Sequence, residues 1–257
     1  MEVYQHFRVD EQPFIDQVIS WKDEVDIQHQ NILSDFLDPR EQHILTTLVG
    51  NDENMSLVFD GAYEEAERKR ARLVPYYQSC EESDFNIIIL EGTYPTKFVN
   101  LSHGDLLGTL MSLGIQRKKV GDLIVKDGTF QIICDQHLAM YIQLQLTKIK
   151  NTSVKLIETP RSRLLQTDSK WVEKEGTVSS TRLDVLMKQI YNLSRQKSQT
   201  LIEKEIVKVN HRMVKEASFN LKAGDLISVR SFGRGKVIEI LGETKKQKLK
   251  IKTAKLK

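Results

Sequence analysis

The stretch TRLDVLMKQIYNLSRQKSQTLIEKEIVKVNHRMVKEASFNLKAGDLISVR, residues 181–230, predicts two short helices followed by a small strand unit. Apolar residues spaced three and four apart indicate a first helix from Thr181 to about Tyr191, and Ser194 is placed to cap a second. Short β-rich runs separated by turn residues follow. The helical residues expected to face the core are Leu183, Leu186, Met187, Ile190, Ser198, Leu201 and Ile202.

Charge is distributed unevenly along the chain. Residues 181–257 contain 19 Lys and Arg against 7 Asp and Glu, a net charge of +12, whereas residues 1–180 carry −9. This asymmetry favours a polyanionic partner, nucleic acid first; the alternative is a solvated surface without a ligand. Arg195 and Lys197 fall in the first turn of the second helix, where free N–H groups attract anions, so they predict a phosphate clamp.

The charge and the predicted elements indicate a nucleic-acid-binding domain at 179–257, made of two helices and a small strand unit and ending in a basic tail. Its expected nucleic-acid contacts lie on the two helices and on the adjoining turns. They are Arg182, Lys188, Ser194, Arg195, Gln196, Lys197, Gln199, Lys204, Lys208, Asn210, Arg230 and Arg234.

Residues 1–78 predict an acidic, mostly helical domain with 7 Lys and Arg against 16 Asp and Glu. One helix is expected to open near Asp26, and another, strongly charged, to run from Ala62 to Leu73. The basic cluster in the charged helix has two interpretations: a solvated face paired with neighbouring glutamates, or a secondary RNA contact. Its members are Arg68, Lys69, Arg70 and Arg72, of which the first three are the candidate RNA contacts.

Residues 79–160 predict a ferredoxin-like (RRM-like) domain of the order βαββαβ, and the overall class is α+β. Asp127-Gly128 between β-rich runs indicates a hairpin, and a final strand is expected from Ser153 to Glu158. Only Phe130 could stack a base from the hairpin, which favours a spacer role. Arg117 and Lys118 lie in a loop that is either a secondary phosphate contact or an exposed turn. The linker is placed at 161–178, where 171–178 could add an edge strand.

Other features of the chain exclude several classes of protein. The sequence contains no run of about 18 apolar residues, so no membrane span is predicted. The N-terminus lacks the basic and apolar regions of a secretory signal. A cytoplasmic protein is therefore expected. Cys80 and Cys134 are far apart and lack metal-ligand spacing, which predicts reduced thiols and no metal site. No motif calls for a cofactor.

An ordered series of residues runs through the basic segment: Arg182-Leu183-Asp184, Leu193-Ser194-Arg195, Ser198, Leu201-Ile202, Val207-Lys208-Val209-Asn210 and Gly224-Asp225. This series resembles the RNA-binding domain named after small-subunit ribosomal protein four. The resemblance implies a helix–helix–β-hairpin surface that grips structured ribosomal or transfer RNA. Glu205 and His211 stand where that family commonly has glycine.

A second set of residues extends over nearly the whole chain: His6-Phe7-Arg8, Phe36-Leu37-Asp38-Pro39-Arg40-Glu41, Ala66-Glu67-Arg68-Lys69-Arg70, Leu107-Gly108, Leu113-Gly114-Ile115, Gly121-Asp122 and Phe232-Gly233-Arg234. These residues are similar to those of the bacterial YlmH proteins. That resemblance implies the three-part organisation above, and a link to the large ribosomal subunit and to rescue of stalled peptidyl-tRNA complexes. The chain departs from the family at Gly104, where a basic residue is expected, and at Ser231, where a glycine is expected.

The leading hypothesis is a monomeric, non-enzymatic factor that binds rRNA and tRNA on the large ribosomal subunit, in ribosome-associated quality control. An RNA-modifying enzyme is the first alternative, since domains of this type are often fused to pseudouridine synthases and methyltransferases. The sequence shows neither a catalytic domain with a nucleophilic Asp nor a glycine-rich cofactor turn. An adaptor for the cell-division machinery is the second alternative.

Overall fold

The computed structural model describes residues 7, 9–50, 52–166, 171–244 and 248–256. The chain divides into two compact units, residues 1–167 and residues 168–257. Among the described residues, no helix is both long enough and apolar enough to cross a membrane.

The first unit begins with two helices and a three-stranded antiparallel sheet of order β1-β3-β2. Pro39 opens the second helix, and Asp38 and Glu41 form a reciprocal capping box that satisfies its first N–H groups. The helices pack on the sheet through residues such as Val18, Leu45 and Leu73. The elements are α1 (Gln12–Gln28), β1 (Ile32–Leu37), α2 (Pro39–Val49), β2 (Met55–Asp60) and β3 (Lys69–Pro75).

Two segments predicted as helices are strands, although the N-terminal part does contain helices as expected. The helix expected near Asp26 is the end of α1, and the residues after it form β1. A register shift between Leu33 and Phe36 in β1 interrupts the alternation by which a strand is recognised in sequence. The charged run 62–73 is a turn followed by β3, because β3 pairs with both β1 and β2 as the central strand.

The next part of the first unit confirms the ferredoxin-like arrangement. Its four main strands form an antiparallel sheet of order β5-β6-β4-β9. Asp127 and Gly128 both have positive φ (48° and 83°), as the predicted two-residue hairpin requires. The last strand was expected from Ser153 to Glu158 but runs from Ile157 to Thr159, because a small hairpin precedes it. The elements are β4 (Ile87–Thr93), α3 (His103–Ser112), β5 (Val120–Lys126), β6 (Thr129–Asp135), α4 (Ala139–Gln145), β7 (Lys148–Ile149), β8 (Thr152–Ser153) and β9 (Ile157–Thr159).

Both faces of the β5-β6-β4-β9 sheet are covered. Leu90 and Ile132 point to the side packed by α3 and α4. Their neighbours Ile89 and Ile133 point to the other side, where they form a cluster with Phe36. Gly121 is needed at this contact, because a Cβ there would lie 2.8 Å from the Phe36 ring. The N-terminal sheet therefore packs against the face that an RNA-binding sheet of this type leaves open.

The second unit contains both predicted helices and a six-stranded antiparallel sheet of order β10-β15-β14-β13-β11-β12. Leu183, Leu186, Met187 and Ile202 are buried in its core, as expected. The elements are β10 (Trp171–Val178), α5 (Leu183–Tyr191), α6 (Arg195–Glu203), β11 (Val207–Val209), β12 (Arg212–Met213), β13 (Leu226–Val229), β14 (Gly233–Glu243) and β15 (Leu249–Leu256).

Residues 171–178 of the expected linker and most of the expected basic tail belong to this sheet. β10 pairs with β15 without interruption from Trp171↔Leu256 to Val178↔Leu249, so the edge strand considered for 171–178 is present. β14 and β15 form a long hairpin rather than a tail. Alternating Lys residues on β15 obscured this in the sequence, because they give a charged run whose other face is apolar.

Candidate nucleic-acid interface

The first turn of α6 presents basic and polar groups beside free backbone N–H groups. The Ser194 hydroxyl oxygen accepts a hydrogen bond from the Lys197 backbone N–H at 3.1 Å, so Ser194 is the predicted N-cap. Arg195, Gln196 and Lys197 are exposed in this turn. The aligned peptide dipoles of the helix and two cations therefore favour an anion at the same place.

A buried carboxylate, Asp184, organises the cations around this turn. Its side chain is fully buried and accepts hydrogen bonds from Nε of Arg182 at 3.0 Å and from Nε of Arg195 at 2.8 Å. The Gln199 amide also approaches it, at 3.3 Å. Burial raises the pKa of Asp184, but the hydrogen bonds from the two guanidinium groups lower it more, so the net pKa is lowered. The carboxylate is thus ionised near pH 7.

Asp184 fixes the guanidinium groups without hiding them. The Arg182 side chain is 35% exposed and that of Arg195 is 57% exposed. A guanidinium that is anchored through Nε keeps further N–H groups to offer to a phosphate in a defined direction. This role of Asp184 was not predicted from the sequence, although an acidic residue beside the core position Leu183 was the available signal.

A groove between α5 and β10 continues from this turn. It has a volume of about 510 Å³, and Lys188, Arg195 and Lys248 line it together with Ser179 and Asn192. Lys188 and Arg195 were predicted contacts, and the fold brings them to one groove. Lys248 was missed because it reaches the groove only through the pairing of β15 with β10.

Three other predicted contacts form a second group at the end of β13, where Lys208, Arg230 and Arg234 line a groove. Lys204 ends α6 and is followed in the chain by Glu205, which also lines this groove. The two groups adjoin through Lys197, whose ammonium lies 5.6 Å from the centre of the Phe232 ring in the β13–β14 turn. The basic surface of the second unit therefore runs from α5 across α6 to this turn.

Asn210 has a structural role in the turn between β11 and β12. Its amide nitrogen donates to Asp225 at 2.8 Å, and its amide oxygen accepts from the Leu226 backbone N–H at 2.8 Å. Both polar atoms of the side chain are engaged within the protein. Asn210 is therefore not part of the group of exposed Lys and Arg side chains.

Three turn residues adopt the left-handed conformation that glycine adopts most easily. Glu205, His211 and Ser231 have φ of 57°, 65° and 70°. These are the positions where a glycine was expected, and the backbone conformation is the physical reason. Glu205 is also paired with Lys215 at 2.7 Å.

The predicted secondary contacts in 62–73 are engaged inside the first unit. Arg70 is only 5% exposed; its Nε donates to the Ser34 carbonyl at 2.8 Å, and the guanidinium lies 3.6 Å from Asp135. Burial lowers the pKa of Arg70, and the charge of Asp135 opposes that effect. Arg70 cannot contact RNA in this fold. Arg68 donates to the Phe36 carbonyl at 2.7 Å, and Lys69 donates to the Glu64 carbonyl at 2.6 Å.

The loop before β5 is likewise held by protein groups. Arg117 donates to the carbonyls of Val120 and Gly121, and burial lowers its pKa to about 10, with the charge of Arg68 adding to the effect. Lys118 pairs with Asp35 at 3.2 Å but keeps 59% of its side chain exposed. Of the five predicted secondary contacts, Lys118 is the most available to a ligand.

Asp122 completes the contact between the N-terminal and ferredoxin-like parts of the first unit. It accepts hydrogen bonds from the Tyr63 hydroxyl at 2.7 Å and from the backbone N–H groups of Glu67 and Arg68, at 2.8 and 3.1 Å.

In the part of the chain that the structure describes, no three His, Cys, Asp or Glu side chains are grouped so that they could hold a metal ion.

Two family models match the chain in the order of its domains. The model described as a putative RNA-binding domain in YlmH matches residues 80–163, and the S4 domain matches residues 181–227. The second match covers α5, α6 and the strands up to the start of β13, and includes Lys188, Arg195, Lys197 and Lys208. Arg230, Arg234 and Lys248 lie beyond the matched residues.

Whole-chain comparisons extend these matches. The chain is 42% identical over 250 residues to the ribosome-associated protein quality control protein P2 of Bacillus subtilis (strain 168), covering 97% of each chain. It is also similar to a solved structure, the cell division protein ylmH from Streptococcus pneumoniae, at 32% identity with a TM-score of 0.55; the match covers 63% of this chain and 99% of the other. On these similarities, the chain belongs to the YlmH family.

Proposed function

We propose that this protein binds structured rRNA and tRNA on the large ribosomal subunit and acts in ribosome-associated quality control, rescuing stalled peptidyl-tRNA complexes. The S4 and YlmH matches support RNA binding, and the name of the Bacillus subtilis relative supports a ribosome-associated role. The protein works as a monomer in the cytoplasm and acts by binding, without catalysis or cofactor.

The observation that carries the proposal is the pair of arginines anchored on Asp184 beside the α6 N-terminus. Groups of this kind recognise the phosphate backbone and its shape rather than a base sequence. The predicted Lys and Arg contacts of the first unit are largely held by internal contacts. Its β5-β6-β4-β9 sheet is covered on both faces. The second unit therefore supplies the main RNA surface.

The test is co-sedimentation with purified large subunits, either empty or carrying peptidyl-tRNA, at physiological salt. Arg195→Glu combined with Lys197→Glu reverses two charges at the α6 N-terminus and is expected to abolish co-sedimentation. Lys222→Glu with Lys236→Glu makes the same change in net charge at the opposite end of β13, and binding should persist. Unchanged binding of the Arg195/Lys197 variant would refute the proposed surface.

Crosslinking in cells followed by RNA sequencing would identify the RNA. Crosslinks concentrated in large-subunit rRNA and tRNA are expected. A dominant signal from messenger RNA would contradict the ribosomal assignment, and modified nucleosides appearing on incubation of purified protein with RNA would contradict the non-enzymatic role.

A second candidate is an adaptor in cell division, favoured by the name of the Streptococcus pneumoniae relative, which is called a cell division protein. The first unit offers a suitable surface on α4, where Met140 is 73% exposed and Leu144 67% exposed. Met140→Glu with Leu144→Glu should leave ribosome binding unchanged. A division defect in cells carrying this variant would support the adaptor role.

A further inference from the structure

The β13–β14 turn holds an aromatic ring at the edge of the basic surface. Phe232 lies between two residues in the left-handed conformation, Ser231 (φ 70°) and Gly233 (φ 86°), and its backbone N–H donates to the Val229 carbonyl at 3.0 Å. The ring is half-buried and packs edge-on against Tyr191, with the centroids 6.4 Å apart. Tyr191 is anchored by a hydrogen bond from its hydroxyl to the Ile227 carbonyl at 2.9 Å. The ring of Phe232 is therefore held in place by the core.

A groove of about 520 Å³ opens beside this ring. Apolar side chains of β10, α5 and β15 line it, with a few polar and basic groups around them. The apolar lining includes Val172, Ile190, Ala254 and Leu256, and Lys255 is among the basic groups. An open apolar groove next to an aromatic ring suits a flat, largely apolar ligand better than a phosphate.

Two ammonium groups flank the aromatic pair. Lys197 lies 5.6 Å from the centre of the Phe232 ring, and Lys255 lies 5.5 Å from the centre of the Tyr191 ring. Asn192 lines both this groove and the groove between α5 and β10, and Lys197 belongs to the first turn of α6, so the groove adjoins the phosphate-binding surface. An aromatic ring with flanking cations matches a nucleotide, whose base stacks while its phosphates meet the lysines.

We propose that this groove is a binding site for one unpaired nucleotide next to an RNA duplex. The base stacks on Phe232 and lies against the apolar lining, and the adjacent phosphates contact Lys197 and Lys255. The site rests on the proposed RNA-binding function and deepens it: the α5–α6 surface holds the duplex backbone, and the Phe232 groove selects RNA that has a nucleotide out of the stack. A fully paired duplex fills only the first of these sites.

The test compares two RNA hairpins that differ only by a single bulged 2-aminopurine, a fluorescent base whose emission falls on stacking. Binding of the full-length protein is measured by anisotropy on end-labelled RNA and by 2-aminopurine emission. The wild-type protein should prefer the bulged hairpin and quench its emission. Phe232→Leu keeps an apolar side chain but removes the aromatic face, so affinity for the bulged hairpin should fall about tenfold, without quenching, while affinity for the paired hairpin is unchanged. Phe232→Trp should restore both the preference and the quenching.

The outcomes separate this site from the function on which it rests. Equal affinity of the wild-type protein for the two hairpins, or a Phe232→Leu variant that still quenches, would overturn the nucleotide site. Loss of binding to both hairpins in Arg195→Glu/Lys197→Glu, with Phe232→Leu affecting only the bulged one, supports both proposals. Failure of the wild-type protein to bind either hairpin or large subunits would refute the RNA-binding function itself. Loss of a protein partner but not of the bulge preference in Phe232→Leu would assign the groove to protein instead.

Discussion

Substitution of Asp184 by Asn tests whether the buried carboxylate stabilises the second unit. The change keeps the shape of the side chain but removes its charge and turns an amide N–H toward guanidinium groups. A hydrogen bond to a charged group contributes about 1.5–3 kcal/mol, and breaking a buried ion pair costs about 3–5 kcal/mol. Because Arg182 and Arg195 remain 35% and 57% exposed, water compensates part of the loss. We therefore expect the free energy of unfolding to fall by about 2 kcal/mol.

The two tryptophans provide an assay for each unit, since Trp21 lies in the first and Trp171 in the second. Urea unfolding is followed by Trp171 fluorescence in a Trp21→Phe background, with and without Asp184→Asn. The same pair in a Trp171→Phe background reports on the first unit through Trp21. Asp184→Asn should lower the urea concentration at the midpoint of the Trp171 transition. The midpoint of the Trp21 transition should be unchanged.

The effect of Asp184→Asn should depend on pH. The folded-state pKa of Asp184 is below its ordinary value of 3.8, so its contribution is fully present above that value and is lost as the pH falls through the folded pKa. The difference between the wild type and the variant should be largest near pH 7 and should shrink below about pH 4. A difference that stays constant from pH 7 to pH 3, or an unchanged Trp171 transition, would refute the reasoning.

Three further predictions concern single residues. Arg70→Ala should lower the free energy of unfolding of the first unit by about 3 kcal/mol, seen in the Trp21 transition, without changing RNA affinity; weaker RNA binding by the folded variant would show that Arg70 is a contact after all. Lys197→Ala should reduce the slope of log K against log salt by about 0.9, measured by titrating RNA at several salt concentrations, and an unchanged slope would exclude a phosphate contact. Glu205→Gly should raise the midpoint of the Trp171 transition by relieving the left-handed backbone (φ 57°), with a gain of about 0.5 kcal/mol, and a lower midpoint would be the contrary result.

Features that depend on nearby residues were predictable from the sequence. The stripe on α5 and the Ser194 cap follow from helix periodicity and local hydrogen bonding, and both are present. The hairpin at Asp127-Gly128 follows from the preference of these residues for positive φ. The charge of the second unit and the grouping of Arg195 and Lys197 in one helical turn were likewise visible.

Features that depend on distant partners could be recognised only in the folded chain. Arg70 lies in a charged run that is typical of a helix, yet it is buried because Ser34 and Asp135 lie opposite it once β3 has paired. Phe232 and Lys197 come together only when the β13–β14 turn reaches α6. Strand pairing brings together residues far apart in sequence, and no local periodicity encodes which strands will be neighbours. Local sequence thus accounts for which segment carries the positive charge and for how its helices form. The pairing of distant segments sets which cations stay exposed and what surrounds them.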